Sequence, residues 1–327
     1  MYGKIAVLRT TMNHIHDLMD DAKCYETLRR QRWPYAVHCP HCTSNKVVKR
    51  GKNHRHCDCR RYSCRKCGRR FDDLTGTVFS GHHQPLRVWL AYLHLMGLNA
   101  SNRQIAQELG LNESDSQEMA ELLRQSIFKR RRRVCLRGVV EFDEVYVVAG
   151  HKGRPDKIVG RKSRRNRLRG ARGRGTLAKE KPPIFGMIQR NGEVVIRMLA
   201  DVKQTTIQPL IVATVEAGSL AYTDEYAIYS RLNAWGYGHK TVNHGAGEYA
   251  RDEDGDGFHE VHVNTMEGFW SLLRSWLRPH RGISQEKLPI YLAFFEFVHN
   301  TRRRGKALLG SLLEVLLQPV ACPQNPI

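Results

Sequence analysis

The spacing of apolar positions changes along the chain. Between residues 84 and 134, Leu86, Trp89, Leu90, Leu93 and Met96, then Ile105, Leu109 and Leu111, then Met119, Leu122, Leu123 and Ile127 recur three and four apart, the period of amphipathic helices. Ser101 supplies an N-cap and Gly110 a stop for one short helix, and another begins near Asn112. Beyond residue 135 the pattern alternates between strand and helix. Residues 139–148 form a β-branched and aromatic run that reads as a buried strand. Residues 184–189 and 193–200 read as strands joined through Arg190-Asn191-Gly192, a hairpin signal. A helix is predicted over 206–216, and a short strand over 220–223 that ends at Asp224-Glu225. A helical stretch through Trp235, a short strand at 240–242 and a long helix opening at Asn264 follow. Residues 1 to about 80 show little helical periodicity.

Composition changes this picture in one respect. The 327 residues carry 53 lysines and arginines against 32 acids, a net charge of +21, so the partner is expected to be a polyanion. Residues 151–181 hold 13 lysines and arginines against Asp156 and Glu180, and residues 129–133 are all basic. Both runs flank the strand predicted at 139–148. That placement favours a nucleic-acid surface arranged around a site over a solvated tail. Nowhere do about 18 consecutive apolar residues occur, so no membrane-spanning helix is expected. The first residues show no basic start followed by an apolar run, and the expectation is a cytoplasmic, nucleoid-associated protein.

Nine cysteines are present, six of them between Cys39 and Cys67. Cys39-Pro-His-Cys42 and Cys64-Arg-Lys-Cys67 are two CxxC pairs 21 residues apart, each able to aim two thiolates at one tetrahedral zinc. This predicts a zinc ribbon over about 36–72, against buried or redox cysteines without metal. His56, Cys57 and Cys59 are further soft ligands in the intervening loop, either joining the site or holding nothing.

The helices on either side of Gly110 have the helix-turn-helix pattern, whose second helix can enter the major groove; a plain packing hairpin is the alternative. The strand at 139–148 carries Glu141, Asp143 and Glu144 although it reads as buried, and buried carboxylates need metal, partners or protonation. With Asp143 on that strand, Asp224 at the end of another and Glu267 on a late helix, three carboxylates can converge. Such a set suits two Mg²⁺ or Mn²⁺ ions acting on a phosphodiester. Arg274 lies seven residues after Glu267, on the same helix face, as a phosphate contact or a solvated charge. His262 and Asn264 precede that helix and are further candidates to face the site, while Trp270, Leu273 and Leu277 are assigned to the core.

The blocks CPHC, YSCRKCGRRFDDLTGTVFSG, SNRQIAQELGL, VEFDEVYV, YTDEYAIYSRL and HVNTMEGFWSLLRSWLRPHRGIS, in this order over residues 30 to 305, resemble prokaryotic insertion-sequence transposases of the ISXO2-like group. That resemblance implies an α/β, ribonuclease-H-like (retroviral-integrase-like) DDE domain preceded by a zinc ribbon and a helical region. By position it implies Asp143, Asp224 and Glu267 as the acidic triad and Cys39, Cys42, Cys64 and Cys67 as zinc ligands. It also implies terminal inverted repeats and target DNA as partners, and at least a dimer on DNA. The family often has lysine where Arg274 stands. The expected division is 1–80 with the ribbon, 81–134 helical and DNA-binding, 135–310 catalytic with the basic insertion 151–181, and 311–327 a tail. The expected activity is metal-dependent DNA cleavage and strand transfer. Two rivals are a non-catalytic DNA-binding regulator and a nuclease that hydrolyses without joining.

Overall fold

Strands form where the chain alternates and helices where its apolar residues recur every three to four positions. The computed structural model describes residues 20–157, 174–257, 259–280 and 282–318. It divides into two units, one running up to Arg130 and including the stretch from Gly305 onward, the other Arg131–Arg304. The core of the predicted basic insertion, 158–173, lies outside the described residues. No helix among those described is long and apolar enough to cross a membrane.

The described part of the first unit opens with a helix, α1 (Asp21–Arg32), in a region where none was expected. Asp20 caps it by accepting from the Lys23 N–H, and Cys24, Tyr25 and Leu28 bury one face; this three-to-four spacing was readable but was masked by the density of Cys and His around it. Three antiparallel strands follow, β1 (Val47–Lys52), β2 (Arg60–Cys64) and β3 (Arg70–Asp72), in the order β1-β2-β3. Tyr62 and Phe71 stack 5.3 Å apart among Cys39 and Cys64. Asp73, fully buried, ties this sheet to α1. It accepts from Arg29 at 2.7 Å, from the Arg60 N–H at 2.7 Å and from the Tyr62 hydroxyl at 3.1 Å.

The helices α2 (Leu86–Gly97), α3 (Asn102–Leu109) and α4 (Glu113–Arg130) come next. Ser101 and Gln104 form a reciprocal capping box at the start of α3, and Gly110 ends it at φ 63°, a left-handed conformation that glycine adopts without steric cost. The start of the predicted tail, as far as Leu317, is instead the end of a helix, α8 (Leu308–Leu317), belonging to this unit, and the tail from 319 on lies outside the described residues. Leu309, Leu312, Leu313 and Leu316 are buried on it, and an apolar stripe of this width requires cover. Gly97 of α2 supplies the space, since a Cβ there would meet Leu308 Cδ2 at 2.8 Å. Arg130 donates to the Gln318 carbonyl at the end of α8, so this member of the basic run serves a helix terminus.

The second unit is a mixed α/β layer structure. Its strands are β4 (Val139–Tyr146), β5 (Pro183–Gln189), β6 (Val194–Met198), β7 (Leu220–Asp224) and β8 (Gly238–Val242), in the order β6-β5-β4-β7-β8. β4, β5 and β6 pair antiparallel, whereas β4, β7 and β8 run parallel. Between β6 and β7 lies α5 (Gln204–Thr214), and after β8 come the short pair β9 (Ala250–Arg251) and β10 (Val261–His262), then α6 (Asn264–Leu277) and α7 (Leu288–Arg303). The helix expected through Trp235 is two separate 3₁₀ turns, Ala227–Tyr229 and Asn233–Trp235. Gly236 at φ 91° stops the second, so the chain has no length there for a regular helix.

Alternation sorts the central strands. Val140, Phe142, Phe185, Met187 and Val195 join Ile207 and Ile211 of α5 in one core. Glu141, Asp143 and Gly186 face α6 instead, as their contacts show below. The edge strand β6 is covered from α7: Asn300 accepts from and donates to the Val194 backbone at 2.8 Å each, and Glu296 accepts from the Ile196 N–H at 2.9 Å. An edge satisfied in this way offers no template for pairing with another chain.

Candidate active site and zinc centre

The acidic site is built on β4. The parallel register with β7 runs from Val139↔Leu220 to Glu141↔Tyr222, and the same step carried two residues further brings Asp143 level with Asp224 at the end of β7. Glu267 comes from the first turn of α6, whose positive helix end favours an acid there. The three side chains are near enough for Asp224 and Glu267 to act on Asp143. Burial first, and those two charges after it, push the Asp143 carboxyl up to about 6, against the Glu144 N–H and the Trp270 indole N–H, which pull it down. The Trp270 bond to Asp143 Oδ2 measures 2.9 Å.

Two supports hold α6 in this place. Gly186 stands directly across from Asp143 on β5, and a Cβ on it would collide with Met266 Cε and would lie 2.6 Å from the Trp270 ring. The missing side chain is what lets α6 lie on the sheet. Glu141, fully buried, accepts from the Met266 N–H at 2.8 Å and from Arg190 Nε at 2.7 Å. A strand carboxylate therefore caps α6 where Val263 offers no side-chain cap. Arg190 reaches on to the carbonyls of Glu260 and His262 and to His262 Nδ1, and lies over the Tyr222 ring. His262 is thus engaged with Arg190 rather than with the triad, while Asn264 begins α6 in an exposed position. Glu144 has its own partner, the Tyr229 hydroxyl, and burial foremost pushes its carboxyl up to about 8. Arg274 is exposed on α6, two turns beyond Glu267. Trp270 and Leu273 are buried and Leu277 is half-buried.

These residues fit divalent ions. Three carboxylates that repel one another at the mouth of a buried strand gain from a cation between them, and hard oxygens are what Mg²⁺ or Mn²⁺ takes. Two ions about 3.5–4 Å apart need a wider spread of oxygens than one ion does. A tighter acidic group stands elsewhere, in the loop between β9 and β10: Asp252, Asp254 and Glu260 bring oxygens within 4.8 Å of one another, an arrangement able to hold one divalent ion. Sequence reasoning missed it, although the alternating acids of Asp252-Glu253-Asp254-Gly255-Asp256-Gly257 were a visible signal.

The four-cysteine cluster lies in the other unit. The Sγ atoms of Cys39, Cys42, Cys64 and Cys67 all lie within 4.8 Å of one another, with Cys39–Cys67 at 3.7 Å and Cys42–Cys64 at 3.5 Å. Tetrahedral zinc with bonds of about 2.3 Å sets its sulfurs about 3.8 Å apart, so the four thiols fit the ion. The Cys67 backbone N–H foremost, and that of Lys66, lower the Cys64 thiol, whereas at Cys42, against the Ser44 N–H, burial and the neighbouring thiols push the thiol up to about 12, so further thiolates need a cation among them. Cys59 is buried beside Asp72 and Asp73, and Cys57 is exposed next to Asp58. Neither belongs to the four-sulfur cluster, and nor does His56.

Comparison with known proteins agrees with this organisation. The model of the ISXO2-like transposase domain matches residues 135–300. An uncharacterized protein in transposable element ISH50 of Halobacterium salinarum is 34% identical over 312 residues, covering 94% of this chain and 100% of that protein. An uncharacterized transposase-like protein of Haemophilus influenzae is 25% identical over 103 residues, covering 32% of this chain and 77% of its own length. Among solved structures, a simian T-cell lymphotropic virus intasome aligns over 63% of this chain and 67% of its own at 11% identity, with a TM-score of 0.27, too low to bear on the fold. The match across the sheet and α6, together with a relative aligned along its whole length, settles the matter of kinship: this chain belongs to the ISXO2-like transposase family of insertion-sequence proteins.

Proposed function

We propose that this protein is a DDE transposase that binds the terminal inverted repeats of its insertion sequence and cuts and joins DNA at Asp143, Asp224 and Glu267. The observation that carries this reading is the central strand's Asp143, half-buried, bonded by Trp270 and repelled by Asp224 and Glu267 from two other elements. The mixed sheet, with one acid on its central strand and another at the end of the neighbouring parallel strand, supports a ribonuclease-H-like architecture. Bound at these acids, two Mg²⁺ or Mn²⁺ ions supply activation of the attacking oxygen and neutralisation of charge on the leaving one.

The chain's own part is positional. Trp270 fixes one oxygen of Asp143, Glu141 and Arg190 fix the start of α6, and Arg274 on the exposed face of α6 meets a DNA phosphate. Hydrolysis at the element end frees a 3′-hydroxyl, which then attacks a target phosphodiester in line with its leaving oxygen. Nothing in this scheme requires a covalent link between protein and DNA. The zinc ribbon and the helices around Gly110 hold the element ends, with affinity from Lys and Arg on phosphates. Two ends are held by at least two copies of the chain.

The test uses supercoiled plasmid carrying the gene's own flanks, with Mg²⁺, Mn²⁺ or EDTA, and compares wild type with Asp143→Asn, Asp224→Asn and Glu267→Gln. Boundary nicking by wild type alone, abolished by EDTA, is expected. Cutting that survives all three substitutions, or binding with no metal-dependent cutting, would remove the site. A pre-cut end with a 3′-hydroxyl separates joining from hydrolysis alone.

A further inference from the structure

Arg174 is the first described residue after the core of the basic insertion, and the residues that follow it are anchored. Its neighbour Gly175 lies so close to Lys181 that a Cβ would collide with the Lys181 carbonyl oxygen. The following turn is closed by Lys181 N–H to Thr176 O and Glu180 N–H to Leu177 O, each at 3.0 Å. The Gln285 side-chain amide donates to Leu177 O at 2.8 Å and to Ala149 O at 3.0 Å, and Ala149 N–H donates to Glu180 O at 2.9 Å. The two ends of the insertion are thereby pinned to each other next to β4.

From this anchored neck the Arg174 guanidinium lies over the Tyr226 ring, Cζ 3.5 Å from its centroid. Tyr226 is in turn held at the triad, because its backbone N–H donates to Asp224 Oδ1 at 3.0 Å. Arg174 also acts electrostatically on Glu144 and Tyr146 of β4. Among the described residues it makes no hydrogen bond or ion pair, and it is exposed. A stacked guanidinium keeps its planar edge of N–H donors free, and that edge matches a phosphate through two parallel bonds.

We propose that Arg174, seated on Tyr226, holds a backbone phosphate of the DNA at the catalytic site. The insertion then contributes a substrate contact at the triad and not only a diffuse positive field. This rests on the transposase reading above. An arginine that only decorated the Tyr226 ring would leave DNA binding unchanged.

The experiment measures binding of a flank duplex by the full, zinc-loaded chain across a salt series, without added Mg²⁺ or Mn²⁺, for wild type, Arg174→Gln, Arg174→Lys, Tyr226→Leu and Tyr226→Phe. Loss of one phosphate contact on duplex DNA flattens the slope of log affinity against log salt by about 0.9, which amounts to about eightfold in affinity at 0.1 M salt relative to 1 M. Arg174→Gln is expected to show that change, Arg174→Lys to keep the slope with weaker binding, Tyr226→Leu to fall between and Tyr226→Phe to match wild type. A scan of single methylphosphonates along the duplex then locates the phosphate, as the position where wild type loses affinity and Arg174→Gln does not. The expected position adjoins the nick that wild type makes in Mg²⁺. An unchanged slope for Arg174→Gln, or coupling to a phosphate remote from the nick, overturns the proposal. If wild type binds but never nicks, the catalytic reading fails, whereas the slope still decides whether Arg174 meets a phosphate.

Discussion

Substituting Gly186 by alanine tests whether Trp270 is a working part of the acidic site. The added methyl would sit 2.6 Å from two carbons of the Trp270 ring and would also collide with the Met266 terminal methyl. The Met266 end can rotate away, but the indole is a rigid plate buried to 2% exposure and moves only with α6. Overpacking of this kind costs about 1–3 kcal/mol, read as a lowered midpoint in urea. The indole N–H would be drawn off Asp143 Oδ2, and a hydrogen bond to a charged acceptor contributes about 1.5–3 kcal/mol. If that bond orients the carboxylate for reaction, nicking falls about 10- to 100-fold, at about 1.4 kcal/mol per decade. Trp270→Phe separates the two effects, because it keeps most of the ring packing and deletes the N–H. The N–H pulls the Asp143 carboxyl down, so in the metal-free protein its loss moves that carboxyl further up from about 6. The reasoning is refuted if Trp270→Phe nicks at the wild-type rate, or if Gly186→Ala is as stable and active as wild type.

Other substitutions probe separate links. Without Mg²⁺ or Mn²⁺ the folded chain holds the Asp143 proton up to about pH 6, against an ordinary value of 3.8, so the folded state binds more protons between those values and stability falls as pH rises through them. At pH 7 the cost is about 3 kcal/mol; Asp143→Asn is therefore expected to unfold later than wild type at pH 7 without Mg²⁺ or Mn²⁺ and to match it below pH 4, and a difference constant with pH would contradict this. Cys64→Ser is expected to abolish the single zinc per chain and to loosen the ribbon, whereas Cys57→Ser keeps full metal content, both read by atomic emission and circular dichroism. Leu312→Ala removes a fully buried side chain from α8 and should cost about 2–5 kcal/mol; a cost under 1 kcal/mol in denaturant unfolding would show that α8 does not close the first unit's core.

The strands and helices around the acids were legible because each carries one period of its own. β4 reads as a strand through its β-branched residues, and Asp143 and Asp224 sit within or at the end of such runs. Their meeting depends on a register offset between β4 and β7 that no local pattern encodes. What escaped sequence reading were roles that need a partner from elsewhere in the chain. Glu141 has the same local signal as Asp143, an acid in an apolar strand, yet one is matched by Arg190 and the Met266 N–H while the other is pressed by like charges. Alternation puts both on the face toward α6, so the distinction lies in what that helix brings to each position: its backbone N–H at one, its indole and Glu267 at the other. Gly186 looked like an ordinary strand residue, since the reason for a missing side chain is the approach of a helix 80 residues later. The α8 stripe failed for the same reason in reverse, because its cover is α1, α2 and α4, nearly 200 residues or more earlier in sequence. Period identifies an element and its apolar face, but only the opposing surface decides whether a charge on that face is a strut or a ligand.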